Sequence, residues 1–345
     1  MNIEFSLFSL MGYRDRGTNV GSVVSDTVSL VRHAEEVGFD AAWFAEHHFS
    51  NYCVCPSPLI MVSHCIGVTS KIRLGPAVIV IPLYQPIRLI EDIGLISELC
   101  GERFMLGVGS GYQPYEFDRF DKDLSDSKTE LVEFINLMDN AFENETFSFE
   151  GKFTKVPDTS ISTRPLRKPP IWIAGDSEET HKLAARREFT PIITGRWSGP
   201  EYLASMRSRI DSSYVAEGFS RGAKSLGILR FACVTKDDEE TESYLENARY
   251  QLRLAMALRN RSEAMDSGMM IERPVSNEPT LKQMEKNLAV GNVETVASRL
   301  RDDIKASGAN HIMLNIQAGS STLAQAKRTM DALPKIRARI AGDLG

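Results

Sequence analysis

The sequence predicts an α/β fold, a (β/α)8 TIM barrel with insertions. Three observations predict it. Short β-branched runs alternate with amphipathic stretches along the whole chain, and such alternation calls for parallel strands joined by crossovers. The count of strand–helix units reaches eight, which suits a closed barrel better than an open doubly wound sheet. Finally, Phe44-Ala45-Glu46-His47-His48-Phe49 follows the second strand directly. That places two imidazoles and a carboxylate where a barrel carries its chemistry, at a strand's C-terminal end.

The elements read as follows. Residues 3–8 form a first strand, and Val24, Val28 and Val31 mark a helix face. Residues 41–45 form a second strand and 57–65 a helix. Residues 73–81, rich in Val and Ile, form a third strand. Pro86 opens a helix over 86–99, with Ile90, Ile93, Leu95 and Ile96 on its apolar side. Residues 104–108 are a fourth strand. The helix over 127–140 buries Leu131, Phe134, Ile135 and Met138. A polar and aromatic insertion fills 141–170. A fifth strand (171–174) and helix (177–187) follow, then a sixth strand (190–194) and helix (201–217). The seventh strand spans 226–235. The helix after it runs over 237–267, with Leu245, Ala248, Leu252 and Ala255 in its seam. An eighth strand (311–316) and a last helix (322–340) complete the count. Residues 268–292 break the alternation with Gly, Pro, Met and Asn, and read as a mobile excursion or lid. No low-complexity linker divides the chain, so 1–345 reads as one barrel domain.

Bulk properties narrow the partners. A net charge of −6 and a pI near 5.7 argue against nucleic acid or an anionic membrane as the main partner. The longest apolar run, 77–84, is too short to span a bilayer and contains Pro82. Residues 1–11 carry neither a basic leader nor a long apolar core, so they do not read as a signal peptide. Five cysteines, an odd number, point to free thiols in a reducing cytoplasm.

Four constellations bear on chemistry. Gly107-Val108-Gly109-Ser110-Gly111 tempts a dinucleotide reading, but that fingerprint needs glycine where Tyr112 stands. Pro114 and the charged aromatic stretch after it argue against a helix starting there. Either this is a flexible turn, or the glycines let backbone approach a flat ligand; the second is preferred. Asp176-Ser177-Glu178-Glu179-Thr180 opens a helix, either as a plain capping box or with the Ser177 and Thr180 hydroxyls adding an anion site for a phosphate, a reading that the neighbouring carboxylates weaken unless they point away. Gly195-Arg196-Trp197-Ser198-Gly199 follows the sixth strand. Arg196 and Trp197 either stack on a ring and hold an anionic group or form a solvated loop pair. His47, His48, Cys53 and Cys55 could ligate zinc, but Cys-x-Cys is tight spacing and Pro56 follows at once, so no metal site is assigned. Cys65, Cys100 and Cys233 read as core. His64 reads as a helix-face residue, His33 and His181 as surface ones, and His311 as open.

Other short motifs add to these. Gly38-Phe39-Asp40 precedes the His47 stretch. Leu74-Gly75, Val80-Ile81-Pro82, Gln85-Pro86-Ile87-Arg88 and Glu91-Asp92 follow. Gly101-Glu102-Arg103-Phe104, Leu106-Gly107-Val108-Gly109 and Pro170-Ile171-Trp172-Ile173-Ala174-Gly175 come next, and Val290-Gly291-Asn292-Val293-Glu294-Thr295-Val296 lies near the C-terminus. In this order and spacing, nearly end to end, the sequence resembles the bacterial luciferase-like flavin monooxygenases.

The resemblance implies a barrel that binds reduced FMN (FMNH2) at its C-terminal face, activates O2 as a flavin peroxide and oxygenates a small organic substrate. It implies that His47 stands beside the flavin as the catalytic residue. It implies that Asp176, Ser177 and Thr180, with Gly175, surround the flavin phosphate. It also implies that Ala77-Val78 is a non-proline cis peptide under the isoalloxazine ring. Gly109 occupies the place of the reactive cysteine of bacterial luciferase, and Ser110 and Lys128 the places of its phosphate-binding arginines, so light emission is not implied. The missing dinucleotide fingerprint calls for a separate NAD(P)H:flavin reductase as partner. Relatives dimerise through their early helices, which implies a homodimer through 57–65 and 86–99. His47 is expected to act as acid/base. Backbone N–H groups near Gly109 and Ser110 are expected to stabilise developing negative charge. Phe8, Tyr84, Tyr112, Arg196 and Trp197 are expected around the substrate, for which a ketone, aldehyde, sulfonate or aromatic compound all fit. The alternatives are a deazaflavin-dependent oxidoreductase that transfers hydride without O2, a non-catalytic flavin-binding protein of the same fold, and a zinc hydrolase.

Overall fold

In the computed structural model of the chain, which describes residues 3–220 and 225–344, eight parallel strands form a ring. Met1 and Asn2, the start of the stretch read for a leader, lie outside the described residues. The strands are β1 (Glu4–Ser9), β2 (Ala41–Phe44), β3 (Arg73–Pro76, resumed at Ile79–Val80), β4 (Leu106–Gly109), β5 (Ile171–Ala174), β6 (Thr190–Thr194), β7 (Gly227–Val234) and β8 (His311–Asn315). Each pairs in parallel with the next, and β8 returns to β1, with Glu4 opposite His311. The pattern predicts one continuous third strand over 73–81, but the structure divides it. A cis peptide joins Ala77 to Val78. The first half of β3 pairs with β2, placing Gly75 opposite Trp43. The second half pairs with β4, placing Ile79 opposite Val108. The division therefore lies where the ring passes from one neighbour to the other.

Strand alternation sends every second side chain into the barrel. The lower interior is filled by Trp43, Trp172 and His311. Trp43 and Trp172 meet edge to face with centroids 5.3 Å apart, and Trp172 meets His311 at 4.7 Å. Glycine makes room for the indoles: a Cβ on Gly75 would lie 2.8 Å from the Trp43 ring, and one on Gly227 would lie 3.1 Å from Trp172. Trp43 Nε1–H donates to His311 Nε2 at 3.2 Å. That leaves His311 Nδ1–H to donate to Glu4 Oε2 at 3.0 Å. Burial pushes the His311 pKa down, in keeping with this neutral tautomer. Toward the C-terminal rim, β2 to β5 each contribute one small residue to the cavity lining: Ala45, Ala77, Gly109 and Ala174.

Outside the ring, several elements differ from expectation. Pro114 does not bar a helix; it opens a short one, Pro114–Arg119, because proline's missing N–H is unpaired in the first turn anyway. The 141–170 insertion carries an antiparallel hairpin, Phe147–Glu150 with Lys155–Thr159. The helix after β7 stops at Arg259 rather than at 267, and a two-residue hairpin, Met265–Asp266 with Met269–Met270, follows it. Within 268–292 the chain forms a capped helix, Leu281–Asn287, and a strand, Ala289–Gly291, that pairs in parallel with β7. A further helix, Val293–Ser307, precedes β8, so β7 is followed by more than one helix. The predicted last helix is two, Leu323–Asp331 and Leu333–Leu344. All five cysteines are free and buried. Among the described residues no helix is long and apolar enough to cross a membrane.

Removing an indole from the lower interior leaves a cavity that its neighbours cannot close. Trp43→Ala is expected to cost about 3–5 kcal/mol of unfolding free energy, measured by urea titration. A loss below about 1 kcal/mol, less than the usual cost of deleting a buried aromatic ring, would show that the lower barrel repacks freely.

Candidate active site

One cavity of about 600 Å3 opens at the C-terminal ends of the strands. Every residue expected at a catalytic, cofactor or substrate position lines it except Tyr84: His47, Ala77, Val78, Gly109, Ser110, Lys128, Gly175, Asp176, Ser177, Thr180, Phe8, Tyr112, Arg196 and Trp197. Tyr84 is the correction. It sits past the end of β3, and its hydroxyl donates to Glu46 Oε2 at 2.9 Å instead of meeting the cavity.

His47 leaves the end of β2 and is held by a residue on the Pro114–Arg119 helix. Its Nδ1 lies 3.0 Å from Glu116 Oε1, and the same oxygen accepts the backbone N–H of His48 at 2.8 Å. Glu116 is only 1% exposed. A carboxylate in that position accepts an Nδ1–H hydrogen bond, which selects the tautomer whose Nε2 keeps its lone pair. Tyr52 and Tyr112 flank the imidazole at 4.9 and 5.7 Å. Burial, ahead of other causes, holds both phenols protonated above their usual range. Beside them Glu46 accepts from the Val80 N–H at 3.1 Å and meets His48 Nε2 at 3.1 Å, which ties the His47 loop to the second half of β3. Burial raises the Glu46 pKa against those bonds.

Past β5 the cavity wall carries hydroxyls and cationic side chains. Ser177 caps the helix Glu178–Arg187; its Oγ accepts the Thr180 N–H at 3.3 Å and lies 3.0 Å from Thr180 Oγ1. Gly175 has φ +157°, and a Cβ there would lie 2.9 Å from the Thr180 hydroxyl. Lys128 Nζ lies 3.3 Å from Glu179, and both side chains are largely exposed. Glu179's own backbone N–H, then Ser177 and Lys128, hold its carboxyl down to about 2. A carboxylate thus already rests against this helix start. Arg209, unannounced by any local sequence signal, also lines the cavity and donates to the Asp176 carbonyl at 2.6 Å. Arg196 pairs with the Asp176 carboxylate at 2.9 Å. His181 is buried, not a surface residue; its Nε2 meets the Gly175 carbonyl at 3.1 Å.

The Arg196–Trp197 loop is no solvated pair, because both residues are partly buried and line the cavity. Arg230, on the outward face of β7 and fully buried, fixes this loop. It donates to the Ser198 carbonyl at 2.9 Å, to the Asn287 carbonyl at 2.5 Å and to Asp303 at 2.7 Å. Any side chain at Gly195 would collide with its guanidinium. Among the described residues, no group of three or more His, Cys, Asp or Glu is placed to hold a metal ion.

The model of the luciferase-like monooxygenase family matches residues 3–311. The chain belongs to that family. Within it, protein y4vJ of Sinorhizobium fredii is 38% identical over 320 residues, 92% of this chain and 91% of its own length. The oxygenase component of the flavin-dependent trigonelline monooxygenase of Acinetobacter baylyi is 23% identical over 311 residues, covering 87% of this chain and 85% of its own. Two solved structures share the fold. One is the oxygenating constituent of 3,6-diketocamphane monooxygenase of Pseudomonas putida, in complex with FMN, with TM-score 0.79 at 18% identity over 97% of both chains. The other is an F420-dependent secondary alcohol dehydrogenase, with TM-score 0.77 at 15% identity over 99% of both.

Sequence reasoning missed Glu116, Tyr52 and Arg209. Glu116 was readable in principle, as a carboxylate one turn into a proline-started helix. The other two reach the cavity only through tertiary contacts. The Arg230–Asp303 pair yields a test of how the loop is held. Asp303→Ala leaves a buried guanidinium without its counter-charge, and should cost about 3–5 kcal/mol in thermal or urea unfolding. A neutral outcome would mean that the loop does not depend on the pair.

Proposed function

We propose that this chain is the oxygenase of a two-component monooxygenase, using FMNH2 from a separate NAD(P)H:flavin reductase, and O2, to oxygenate a small organic substrate. One observation carries the reading: a single cavity brings together the Ser177 and Thr180 hydroxyls, the small residues Ala77, Gly109 and Ala174, and the His47 imidazole bonded to the buried Glu116 carboxylate. The residues present fit FMN. A Cβ on Gly109 would lie 2.7 Å from Val78 Cγ2, so only glycine keeps that wall flat beside the Ala77–Val78 peptide. The hydroxyls of Ser177 and Thr180, with Arg209 and Lys128, supply donors and positive charge for a phosphate. Reduced FMN, when bound, supplies the electrons that activate O2.

The protein's part is positioning, proton handling and exclusion of water. His47 holds a lone pair on Nε2 and takes or returns a proton at the substrate. Glu116 keeps that tautomer and stabilises the imidazolium once it forms. Leu10, Ile193, Leu229, Phe231, Leu252 and Met256 line the rest of the cavity and keep water from the reacting centre. Five buried free thiols suit a reducing cytoplasm. A homodimer is supported by apolar side chains left in solvent on the helices Pro58–Ile66 and Pro86–Cys100, where Ile60 is 69%, Leu95 49% and Leu99 55% exposed.

Mixing the chain anaerobically with photoreduced FMN, and separately with reduced F420, tests the cofactor. FMN should bind and quench Trp197 fluorescence, and Ser177→Ala with Thr180→Val should weaken binding at least about tenfold, as loss of two charge-assisted bonds requires. Preference for F420 would overturn the reading in favour of hydride transfer. His47→Ala should bind FMN normally yet form product about 10²–10⁴-fold more slowly, with the O2 consumed appearing as H2O2. Unchanged product yield would remove His47 from the mechanism. Leu95→Glu with Leu99→Glu should convert a dimer to monomer in sedimentation velocity; an unaltered sedimentation coefficient would place the interface elsewhere.

A further inference from the structure

Four cationic side chains line the cavity: Lys128, Arg196, Arg209 and Arg259. Three have partners in the protein. Lys128 faces Glu179, Arg196 pairs with the Asp176 carboxylate, and Arg209 donates to the Asp176 carbonyl. Arg259 differs. Among the described residues its guanidinium has no carboxylate and no hydrogen-bond acceptor; it lies over the Tyr112 ring, with Cζ 4.7 Å from the centroid. The side chain is exposed, so an entering molecule can reach it. Helix periodicity turns it to the cavity. Arg259 ends the helix Asp238–Arg259, and Leu252, Ala255 and Met256, seven, four and three residues before it, line the same cavity. Residues at those spacings share one side of a helix. The helix's two other arginines are absent from the lining, and both are paired: Arg249 with Glu246, and Arg253 with Glu272 and Glu278. The backbone dipole favours a cation at a helix C-terminus. That accounts for a charge at this position, but not for its standing unpaired on a wall of Leu252, Ala255 and Met256.

Its place relative to His47 indicates what it holds. Tyr112 meets the His47 ring edge to face at 5.7 Å, so Arg259 stands one ring beyond the imidazole. On the proposed function the flavin phosphate lies at Ser177 and Thr180 and is served by Arg209 and Lys128; the assignment of Arg259 rests on that reading for the placement of the cofactor. We propose that the substrate is an organic acid, whose carboxylate or sulfonate pairs with Arg259 while its uncharged part lies toward His47. A guanidinium carries five N–H donors in one plane, and contact with a ring face spends none of them. Two of them match two oxygens of a carboxylate or sulfonate. A ketone or aldehyde accepts one such bond and leaves the charge unbalanced. A cationic substrate is repelled. An oxyanion alone among these meets both the donors and the charge.

Three ligands of similar shape and different charge test this: phenylacetate, phenylacetamide and phenethylammonium. Each is titrated calorimetrically into the full chain saturated with oxidised FMN, so that nothing turns over and the phosphate site is filled. Phenylacetate should bind at least about tenfold more tightly than the amide, the usual difference between charge-assisted and neutral hydrogen bonds. The ammonium should bind most weakly. In Arg259→Gln the gap between acid and amide should fall to within about twofold, with FMN affinity unchanged. Arg261→Gln removes a nearby exposed guanidinium that pairs with Asp118, and should leave the gap as it is. Absence of a preference for the acid in the unmodified chain, whether the three bind alike or none binds, overturns the proposal, and that comparison needs no variant to fold. A gap that survives Arg259→Gln overturns it too. So does an equal loss in Arg261→Gln, which would assign the preference to general surface charge. Weakened FMN binding in Arg259→Gln, with riboflavin affinity unchanged, would give the guanidinium to the cofactor's phosphate and overturn the substrate assignment. Failure of the chain to bind FMN at all would instead overturn the proposed function, while the same gap, measured on the FMN-free chain with and without Arg259→Gln, would still decide whether this guanidinium holds an organic acid.

Discussion

Large residues below and small ones above divide the interior of this barrel. A closed parallel sheet has one interior, and side chains from every strand compete for it. Here Trp43, Trp172 and His311 take the lower part, locked edge to face and by the Trp43 N–H on His311. Ala45, Ala77, Gly109 and Ala174 leave the upper part open along four consecutive strands. The site follows from that division. After each small residue the chain turns into a loop that carries a cavity group: His47 after Ala45, Val78 after Ala77, Ser110 after Gly109, and Asp176 and Ser177 after Ala174.

Buried charge, rather than apolar packing, holds these loops in register. Glu116 takes both the His47 ring and the His48 N–H, and Glu46 takes the Val80 N–H and the Tyr84 hydroxyl. Arg230 gathers the carbonyls of Ser198 and Asn287. Each is a multidentate side chain that bonds the backbone of a segment it does not belong to. Such bonds are directional, so they fix a loop's position in a way that apolar contact does not. Burial raises the pKa of Glu46 and Asp303, which marks the electrostatic cost of using charge this way.

The ring was legible in the sequence because strands buried on both faces read as short β-branched runs, and β5 and β6 fell on the expected residues. The lining groups were legible for a related reason: on a barrel, a polar residue just past a strand end has one place to go. What escaped was whatever depends on partners distant in sequence. The division of β3 follows from which neighbour each half meets, and Val and Ile continue through it without a break. Tyr84 is expected among the aromatic residues around the substrate, yet a buried carboxylate 38 residues earlier takes its hydroxyl. The helix Val293–Ser307 was passed over because the irregular stretch before it masked where the alternation resumes. Arg209 lies a full helix, a full strand and over half of a second helix beyond Asp176, with nothing local to mark it.

The charge at the anion end shows how such a long-range residue alters the chemistry expected from position. At the two places where arginine was expected, this chain has Ser110 and Lys128. Among the described residues Ser110's hydroxyl meets only the neighbouring Gly111 carbonyl, at 3.5 Å, and Lys128 is half exposed and already faces Glu179. Neither is a strong substitute for a guanidinium, since an exposed ammonium is strongly hydrated and held on a flexible stem. Arg209 is anchored by the Asp176 carbonyl, and Arg196 by the Asp176 carboxylate. On the proposed reading, the cation that the β4 loop lacks is therefore supplied from the β6 side. Asp176 becomes the junction on which two guanidinium groups converge, and its own contribution is to aim them rather than to touch the phosphate.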